Sequence, residues 1–157
     1  MTTGGPELLQ DPLAQELLAS TIPARLAYLW PDGTPRLASL WFHWDGTDIV
    51  MATLPGAPKL KALKTGDRVA LTIDTDAPPH HVLSIRGTAE VTRPEGVVEE
   101  YAKAAVRYLG NEQGEAYTAS LPPDIRMGRI AVRPDRVVLL DFETRFPTAL
   151  VQLRSHG

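Results

Sequence analysis

The chain has 157 residues, of which 43% are hydrophobic and 22% charged, with a formal net charge of -3, a composition typical of one ordinary soluble globular domain. It contains no cysteine, which excludes disulfides, thiolate nucleophiles and cysteine-bound metals. The acidic balance and the lack of an apolar run near about 20 residues argue against nucleic-acid binding and membrane spans. Residues 1–10 do not resemble a secretory signal, which favours a cytoplasmic location.

The first part of the chain predicts a short helix followed by strands. Leucines at helical spacing follow Asp11, and an aspartate before a proline is typical of a helix start. Residues 24–30 form a predicted strand, and an Asp-Gly turn reverses the chain. Residues 36–44 alternate between two largely apolar faces, which predicts a central strand covered on both sides. A second Asp-Gly turn leads to a strand at residues 49–53, completing a predicted three-stranded meander.

Residues 51–74 place basic side chains on the connection between two strands. This stretch reads MATLPGAPKLKALKTGDRVALTID. A Pro/Gly loop leads into a predicted short helix that carries Lys59, Lys61 and Lys64, and Arg68 opens the next strand. Unpaired backbone N–H groups and the positive end of the helix dipole attract phosphate groups at a helix start. The stretch therefore predicts an anion site in a chain of negative net charge.

Two clear strands follow the lysine segment. Residues 68–74 are rich in Val, Ile and Thr, and residues 76–81 form a predicted loop. Residues 82–91 alternate between a core face and a more polar face. Gly87 within that strand indicates a bend or a close approach of another backbone.

The C-terminal part of the chain predicts the longest helix and a closing hairpin. A capping-box pattern opens at Thr92, and the helical stripe that follows ends at Gly110. Residues 111–124 have weak periodicity, so we predict no element there. Residues 127–141 read as two strands around a turn at 133–136, followed by an irregular tail. The pattern favours a mainly β fold with helices (α+β), in which antiparallel strands form a small barrel.

Short motifs, taken in order, resemble those of the pyridoxamine 5′-phosphate oxidase-like family. The motifs are RLASLW at 36–41, MAT at 51–53, PK at 58–59, DRVAL at 67–71 and IRGTAEV at 85–91. The resemblance covers about residues 22–141, with the N-terminal helix and the C-terminal tail outside it. Together with the six or seven antiparallel strands that the residue pattern predicts, it implies one split-barrel domain over residues 1–157. It also implies a homodimer with one flavin at each end of the interface.

The resemblance assigns cofactor contacts to particular positions. The family strand that lines the flavin ring falls on Arg36, Leu37, Ala38, Ser39, Leu40 and Trp41. The family threonine at a strand end falls on Thr53. The phosphate lysine falls on Lys59, and Lys61 lies near enough to assist. A further contact lies at the start of the strand after the loop at residues 76–81, the proline-histidine loop, and falls on His81 or Val82.

Departures from the family pattern bear on the substrate. Pyridoxamine phosphate oxidases carry a substrate-binding lysine where this chain has Trp41, and their arginine-serine and arginine-histidine substrate motifs are missing. Vitamin B6 oxidation is therefore not expected. The pattern is more similar to the actinobacterial branch, whose members use FMN or the deazaflavin F420, and Lys59 suits the phosphate of either. Trp41 either covers the face of the flavin ring or fills the core. His43 is either a hydrogen-bonded, half-buried histidine or a proton donor.

The sequence lacks a convincing catalytic constellation. Ser39 and Ser84 have no hydrolase context, and the neighbours His80 and His81 do not make a metal site. A flavin carries out hydride transfer itself, so such a constellation is not required. We therefore predict an FMN-dependent oxidoreductase that acts on a small molecule. The alternatives are an F420H2-dependent reductase on the same fold and a non-catalytic protein that binds flavin or haem.

Overall fold

The computed structural model describes residues 1–155, so residues 156–157 of the expected domain lie outside the described part. The strands are β1 (Thr2–Gly4), β2 (Ala24–Leu29), β3 (Pro35–Leu40), β4 (Phe42–Trp44), β5 (Ile49–Thr53), β6 (Arg68–Asp74), β7 (Val82–Thr92) and β8 (Gly128–Leu140). The α-helices are α1 (Pro12–Ala19), α2 (Lys59–Ala62), α3 (Glu99–Leu109), α4 (Asn111–Ala119) and α5 (Thr148–Arg154). A 3-10 helix, Pro6–Gln10, precedes α1.

The strands form one curled antiparallel sheet. Its order is β3-β2-β6-β7-β8-β5-β4, and β1 pairs with β8. The inward side chains of the long strands are apolar and fully buried, for example Leu26, Leu83 and Val137. The expected antiparallel split barrel is confirmed. Among residues 1–155 it has eight strands: β1 is added, the predicted strand at 36–44 is divided in two, and the predicted hairpin at 127–141 is one strand.

The central strand expected over residues 36–44 is wrong in both its continuity and its place. Strand pairing stops at Trp41, which divides the segment into β3 and β4 at opposite ends of the sheet order. Within residues 1–155, β3 pairs only with β2 and β4 only with β5, so there is no three-stranded meander. Alternation reports which side chains share a face, not which strand lies alongside. Leu37, on the outer face of β3, is 69% exposed.

The closing hairpin expected over residues 127–141 is also wrong, because this segment forms the single strand β8. The register between β7 and β8 shifts next to Gly87, which is paired with Pro134. The bulge takes up an extra residue, so the chain bends without reversing. A Cβ atom on Gly87 would lie 2.2 Å from the carbonyl oxygen of Arg133, which confirms the expected close backbone approach.

The helices depart from the sequence expectations at their ends. Helix α3 begins at Glu99, not near Thr92, because Thr92 still pairs within the sheet. Residues 111–119 form α4 where no element is expected. Gly110, with a φ of 87°, separates the two helices, and α4 lies so close to α3 that a Cβ on Gly114 would be 2.5 Å from the Cα of Val106. The tail is not irregular throughout, since it includes α5.

An ion pair joins the segment before α1 to the segment after β8. Asp11 accepts a 2.9 Å hydrogen bond from the backbone N–H of Leu13, which confirms the expected helix start, and it binds Arg145 at 2.9 and 3.1 Å. Asp141 is buried, which opposes ionisation, but hydrogen bonds from Thr144 and from backbone N–H groups hold the pKa of Asp141 well below its usual range.

Among residues 1–155, no helix has the length and apolar character required to cross a membrane.

Candidate functional site

A cleft opens where the sheet does not close into a complete barrel. The chain crosses from one sheet end to the other at Trp41, so β3 lies beside β5. A cavity of about 300 Å³ in this seam is lined by Ser39, Leu40, Trp41, Ala52, Thr53, Leu54, Tyr101 and Tyr117. We refer to it as the seam cleft. Because β3 is an edge strand, part of its backbone N–H and C=O groups remain available to a ligand.

Three positively charged side chains lie on or beside helix α2, which follows the strand end at Thr53 in the cleft wall. The Nζ atom of Lys59 is 3.5 Å from the Oγ1 atom of Thr53. Arg93 donates a 3.3 Å hydrogen bond to the carbonyl of Leu60 and so reaches the same helix, on which Lys61 is exposed. In the described part of the chain, none of these three cations is paired with a carboxylate. Such a cluster can bind an anionic group of a ligand.

Helix α2 positions Lys59 by close packing. A Cβ atom on Gly128 would lie 2.2 Å from a methyl carbon of Leu60, so α2 rests directly on the start of β8. The helix has only four residues and ends at Ala62, so Lys64 lies beyond it. The sequence expectation that one helix carries all three lysines is therefore wrong. With so short a helix, the lysine side chains rather than the helix dipole supply the positive charge.

Three tyrosines surround the ring of Trp41. Tyr108 stacks on it with ring centroids 5.2 Å apart and planes at 10°. Tyr101 lies 5.8 Å from it, and Tyr117 approaches edge-on at 6.0 Å. Such contacts are worth about 0.5–1.5 kcal/mol each beyond the burial of area. Trp41 is therefore at once part of the cleft wall and part of a packed aromatic cluster.

An ion pair holds α3 against the sheet next to the seam cleft. The carboxylate of Glu100 accepts hydrogen bonds from Arg129 at 2.6 and 3.3 Å. Arg129 is the sheet partner of Ala52 in the cleft wall, and Glu100 is adjacent to Tyr101 in sequence. The hydrogen bond from Arg129 lowers the pKa of Glu100. The pair therefore fixes the distance between the helix that carries Tyr101 and the strand below it.

Several positions assigned by resemblance lie outside the seam cleft. The guanidinium of Arg36 lies 5.2 Å from the ring centroid of Trp30. Leu37 projects from the outer face of β3, and Ala38 packs against the core. His81 precedes β7, which is separated from β3 by two strands of the sheet. The structure thus brings together Ser39, Leu40, Trp41, Thr53 and Lys59.

His43 and the histidine pair of the proline-histidine loop also lie elsewhere. His43 lines a separate cavity of about 220 Å³ together with Gln15 and Arg107. Burial, followed by the positive charge of Arg107, lowers the pKa of His43, so its ring is neutral at pH 7. His80 contacts the ring of Phe142 edge-on. No group of three or more metal-ligating side chains occurs among residues 1–155.

Sequence reasoning does not find all of the residues around the cleft. Tyr101 is assigned only to the apolar stripe of a helix, and Tyr117 lies in a segment with no predicted element. Arg93 follows β7 and carries no motif. A usable signal for Tyr117 is the pair of glycines at 110 and 114, which fits two helices packed closely together.

The fold is that of a split-barrel protein, with a cleft lined by aromatic side chains and a lysine beside one end of it. The family model described as pyridoxamine 5′-phosphate oxidase matches residues 11–140. Because this match spans most of the chain, the protein belongs to that family. No curated protein matches the sequence at a significant level.

Solved structures with the same fold include proteins named for different ligands. An F420 reductase is 27% identical, with 81% of this chain and 95% of that chain covered and a TM-score of 0.62. The conserved hypothetical protein Rv2991 from Mycobacterium tuberculosis is 19% identical, with 85% and 86% covered and a TM-score of 0.65. The FAD and heme binding protein from Mycobacterium smegmatis is 20% identical, with 100% and 81% covered and a TM-score of 0.58. The last two, at these low identities, show the fold alone.

Proposed function

We propose that this protein is a homodimeric, FMN-dependent oxidoreductase that transfers a hydride to or from a small molecule. One observation carries the proposal: Thr53 lines the seam cleft together with Ser39 and Leu40 of the edge strand β3, and its hydroxyl oxygen lies 3.5 Å from the Nζ atom of Lys59. A bound flavin supplies the hydride chemistry itself. The role of the chain is then to hold the cofactor, orient it and limit the access of water.

The residues present fit the two ends of such a cofactor. Lys59 and the hydroxyl of Thr53 can both donate to a phosphate oxygen, and Arg93 and Lys61 add positive charge nearby. The unpaired backbone groups of β3 can bind the polar edge of a flat ring, because edge strands offer both donors and acceptors. Trp41 and the apolar side chain of Leu40 supply a surface for its face.

An F420H2-dependent reductase is the second candidate. It is supported by the 27% identity with a structure named F420 reductase over 81% of the chain. The phosphate of F420 can use the same cations, so Lys59 does not separate the two cofactors. A non-catalytic haem-binding role has less support. Among the residues that line the seam cleft, only the two tyrosines can serve as an axial ligand, and their hydroxyls bond to each other.

The proposed homodimer is supported by an open apolar surface on the outer face of β2 and β3. Leu29 is 62% exposed and Leu37 is 69% exposed. Ala27 is the sheet partner of Leu37, and Pro35 is the partner of Leu29, so these side chains form one continuous patch. A second copy of the chain packed on this patch would remove it from water.

Titration of FMN and F420 into the purified protein tests the proposal, with Lys59→Ala as the key variant. Loss of a charge-assisted phosphate contact weakens binding by about 1.5–3 kcal/mol, or roughly 10- to 150-fold. Lys103→Ala is the matched control, because Lys103 pairs with Glu99 on the exposed side of α3. Unchanged affinity of Lys59→Ala for both cofactors would remove Lys59 from the site. A wild-type protein that binds neither cofactor would refute the proposed function.

Turnover separates an enzyme from a binding protein. We expect oxidation of the reduced cofactor to depend on an added acceptor when the protein is present. A protein that binds FMN tightly but shows no acceptor-dependent oxidation would support the non-catalytic alternative.

A further inference from the structure

The cavity that contains His43 is separate from the seam cleft and has a wall of different chemistry. It lies between α1, α3 and β4, has a volume of about 220 Å³, and is lined by Gln15, Leu18, Ala19, His43, Trp44 and Arg107. None of these residues lines the seam cleft. No carboxylate is among the described residues of the wall, so Arg107 gives it a positive charge.

The guanidinium of Arg107 has no carboxylate partner in the described part of the chain. Its Nε–H donates to the carbonyl of Ser20 at 3.0 Å, and an Nη2–H donates to the carbonyl of Phe42. Its Cζ atom lies 4.8 Å from the ring centroid of Phe42 and 4.9 Å from that of Tyr108. Together with a contact to the Tyr108 hydroxyl, these bonds use at most three of the five N–H donors of a guanidinium. The remaining N–H groups are available to a ligand.

Two further polar groups of the cavity wall are unpaired. Within residues 1–155, neither the indole N–H of Trp44 nor the imidazole of His43 has a hydrogen-bond partner. No side-chain nitrogen or oxygen in that part of the chain is both fully buried and unpaired, so these ring nitrogens are accessible from outside. Three neighbouring residues of the wall can therefore donate hydrogen bonds to one ligand.

We propose that this cavity binds a small aliphatic carboxylate through Arg107, Trp44 and His43. A guanidinium binds a carboxylate through two parallel N–H bonds, and a single positive charge matches a single negative one. Leu18 and Ala19 of α1 offer apolar surface to a short hydrocarbon chain. Because the cavity is separate from the seam cleft, binding there does not require a flavin.

Binding of a carboxylate should be linked to protonation of His43. Burial, followed by the positive charges of Arg107 and Lys103, lowers the pKa of His43, whereas Asp45 and Glu100 act in the opposite direction. The described residues that α1 adds to the wall are uncharged. A carboxylate beside the ring raises the pKa of His43, because an opposite charge favours the imidazolium. The complex therefore takes up protons, and binding becomes tighter as pH falls.

Titration of sodium butyrate into the ¹⁵N-labelled protein tests the site, with the indole N–H signal of Trp44 as the readout. That signal is identified by its loss in Trp44→Phe. Sodium chloride at equal ionic strength is the control titration. Arg107→Lys keeps the charge but loses the planar pair of donors. Arg126→Gln is the matched control, because Arg126 pairs with Glu95 on the exposed surface and does not line the cavity.

We expect a saturable shift of the Trp44 signal with butyrate and no saturable shift with chloride. Arg107→Lys should bind butyrate about tenfold or more weakly, with Arg126→Gln unchanged. Between pH 8 and pH 6, the affinity of the wild type for butyrate should rise about threefold or more. His43→Gln should abolish this rise, because its amide does not titrate.

A butyrate shift that does not saturate, or that equals the chloride shift, would overturn the inference. Equal weakening in Arg107→Lys and Arg126→Gln would overturn it as well. Circular dichroism shows whether Arg107→Lys is folded, and if that variant unfolds, the wild type and His43→Gln still decide. A pH dependence that persists in His43→Gln would refute the role of the imidazole. All of these results are obtained without FMN or F420, so they stand apart from a failure of the proposed function.

Discussion

Replacing Glu100 by Gln tests how helix α3, which carries Tyr101 in the wall of the seam cleft, is held against the sheet. The change keeps the side-chain volume but removes the charge that faces Arg129, whose next carboxylate, on Glu90, is 3.9 Å away. The side chains of Glu100 and Arg129 are 19% and 22% exposed, so water screens their attraction only weakly. Removing one partner of a fully buried pair costs about 3–5 kcal/mol. Because the pair is partly exposed and a second carboxylate is near, we expect the free energy of unfolding to fall by about 2–3 kcal/mol at pH 7.

The effect of Glu100→Gln should also depend on pH. The hydrogen bond from Arg129 lowers the pKa of Glu100 in the folded protein below its usual value of 4.5. A carboxyl group with a depressed folded pKa stabilises the protein fully above its unfolded pKa and loses that contribution as pH falls through the folded pKa. The difference in the free energy of unfolding between wild type and Glu100→Gln should therefore shrink as pH falls below about 4.5.

Urea unfolding of wild type and variant, followed by circular dichroism in a series of buffers from pH 7 downward, measures both effects. Glu99→Gln is the matched control, because Glu99 also pairs with a cation on α3, Lys103, but its side chain is 78% exposed. We expect that control to cost at most about 0.5 kcal/mol. A loss below about 0.5 kcal/mol for Glu100→Gln at pH 7, or a loss that does not shrink in acid, would refute the reasoning.

Three further substitutions have defined outcomes. Gly87→Ala forces a Cβ to within 2.2 Å of a backbone oxygen, so we expect a loss of about 2 kcal/mol or more and a thermal midpoint lower by roughly 4–8 °C, measured by circular dichroism. Leu37→Asp places a charge in the proposed dimer patch and should give a folded monomer in light scattering. Asp11→Ala removes a helix cap and the partner of Arg145, so urea unfolding should show a loss of about 2 kcal/mol and proteolysis of the tail should become faster. A dimeric Leu37→Asp protein, or unchanged stability in either other variant, would contradict these expectations.

The sequence is informative wherever local chemistry decides the structure. The Asp-Gly turn before β3 and the alternation of β7 need only neighbouring residues, and both predictions are confirmed. Alternation does not report which strand lies alongside, so it misplaces residues 36–44. Likewise, the proline in β8 suggests a turn, although the bulge opposite Gly87 keeps the strand continuous.

In the candidate site, too, the sequence predicts the residues that are neighbours in the chain and misses those brought in from distant segments. Thr53 and Lys59 are close in sequence and in space, so a short motif can place them side by side. Tyr117 reaches the cleft only because α4 folds back on α3 after Gly110, and Arg93 only because β7 ends near α2. Those placements depend on packing between distant segments, which a single sequence does not encode as a local pattern. The resemblance to a family likewise cannot supply residues that its motifs do not contain.

The single residue that joins β3 to β4 has a mechanical consequence. Because Trp41 is the only link between the two sheet ends along that path, the walls of the cleft cannot separate at this point without breaking the chain. An opening of the cleft is therefore smallest at Trp41 and can only increase with distance from it. We expect substitutions in the loop after β5 to change the rates of ligand entry and release more than they change the packing around Trp41. Evolution can then change kinetics through the loop after β5 without disturbing the geometry around the indole.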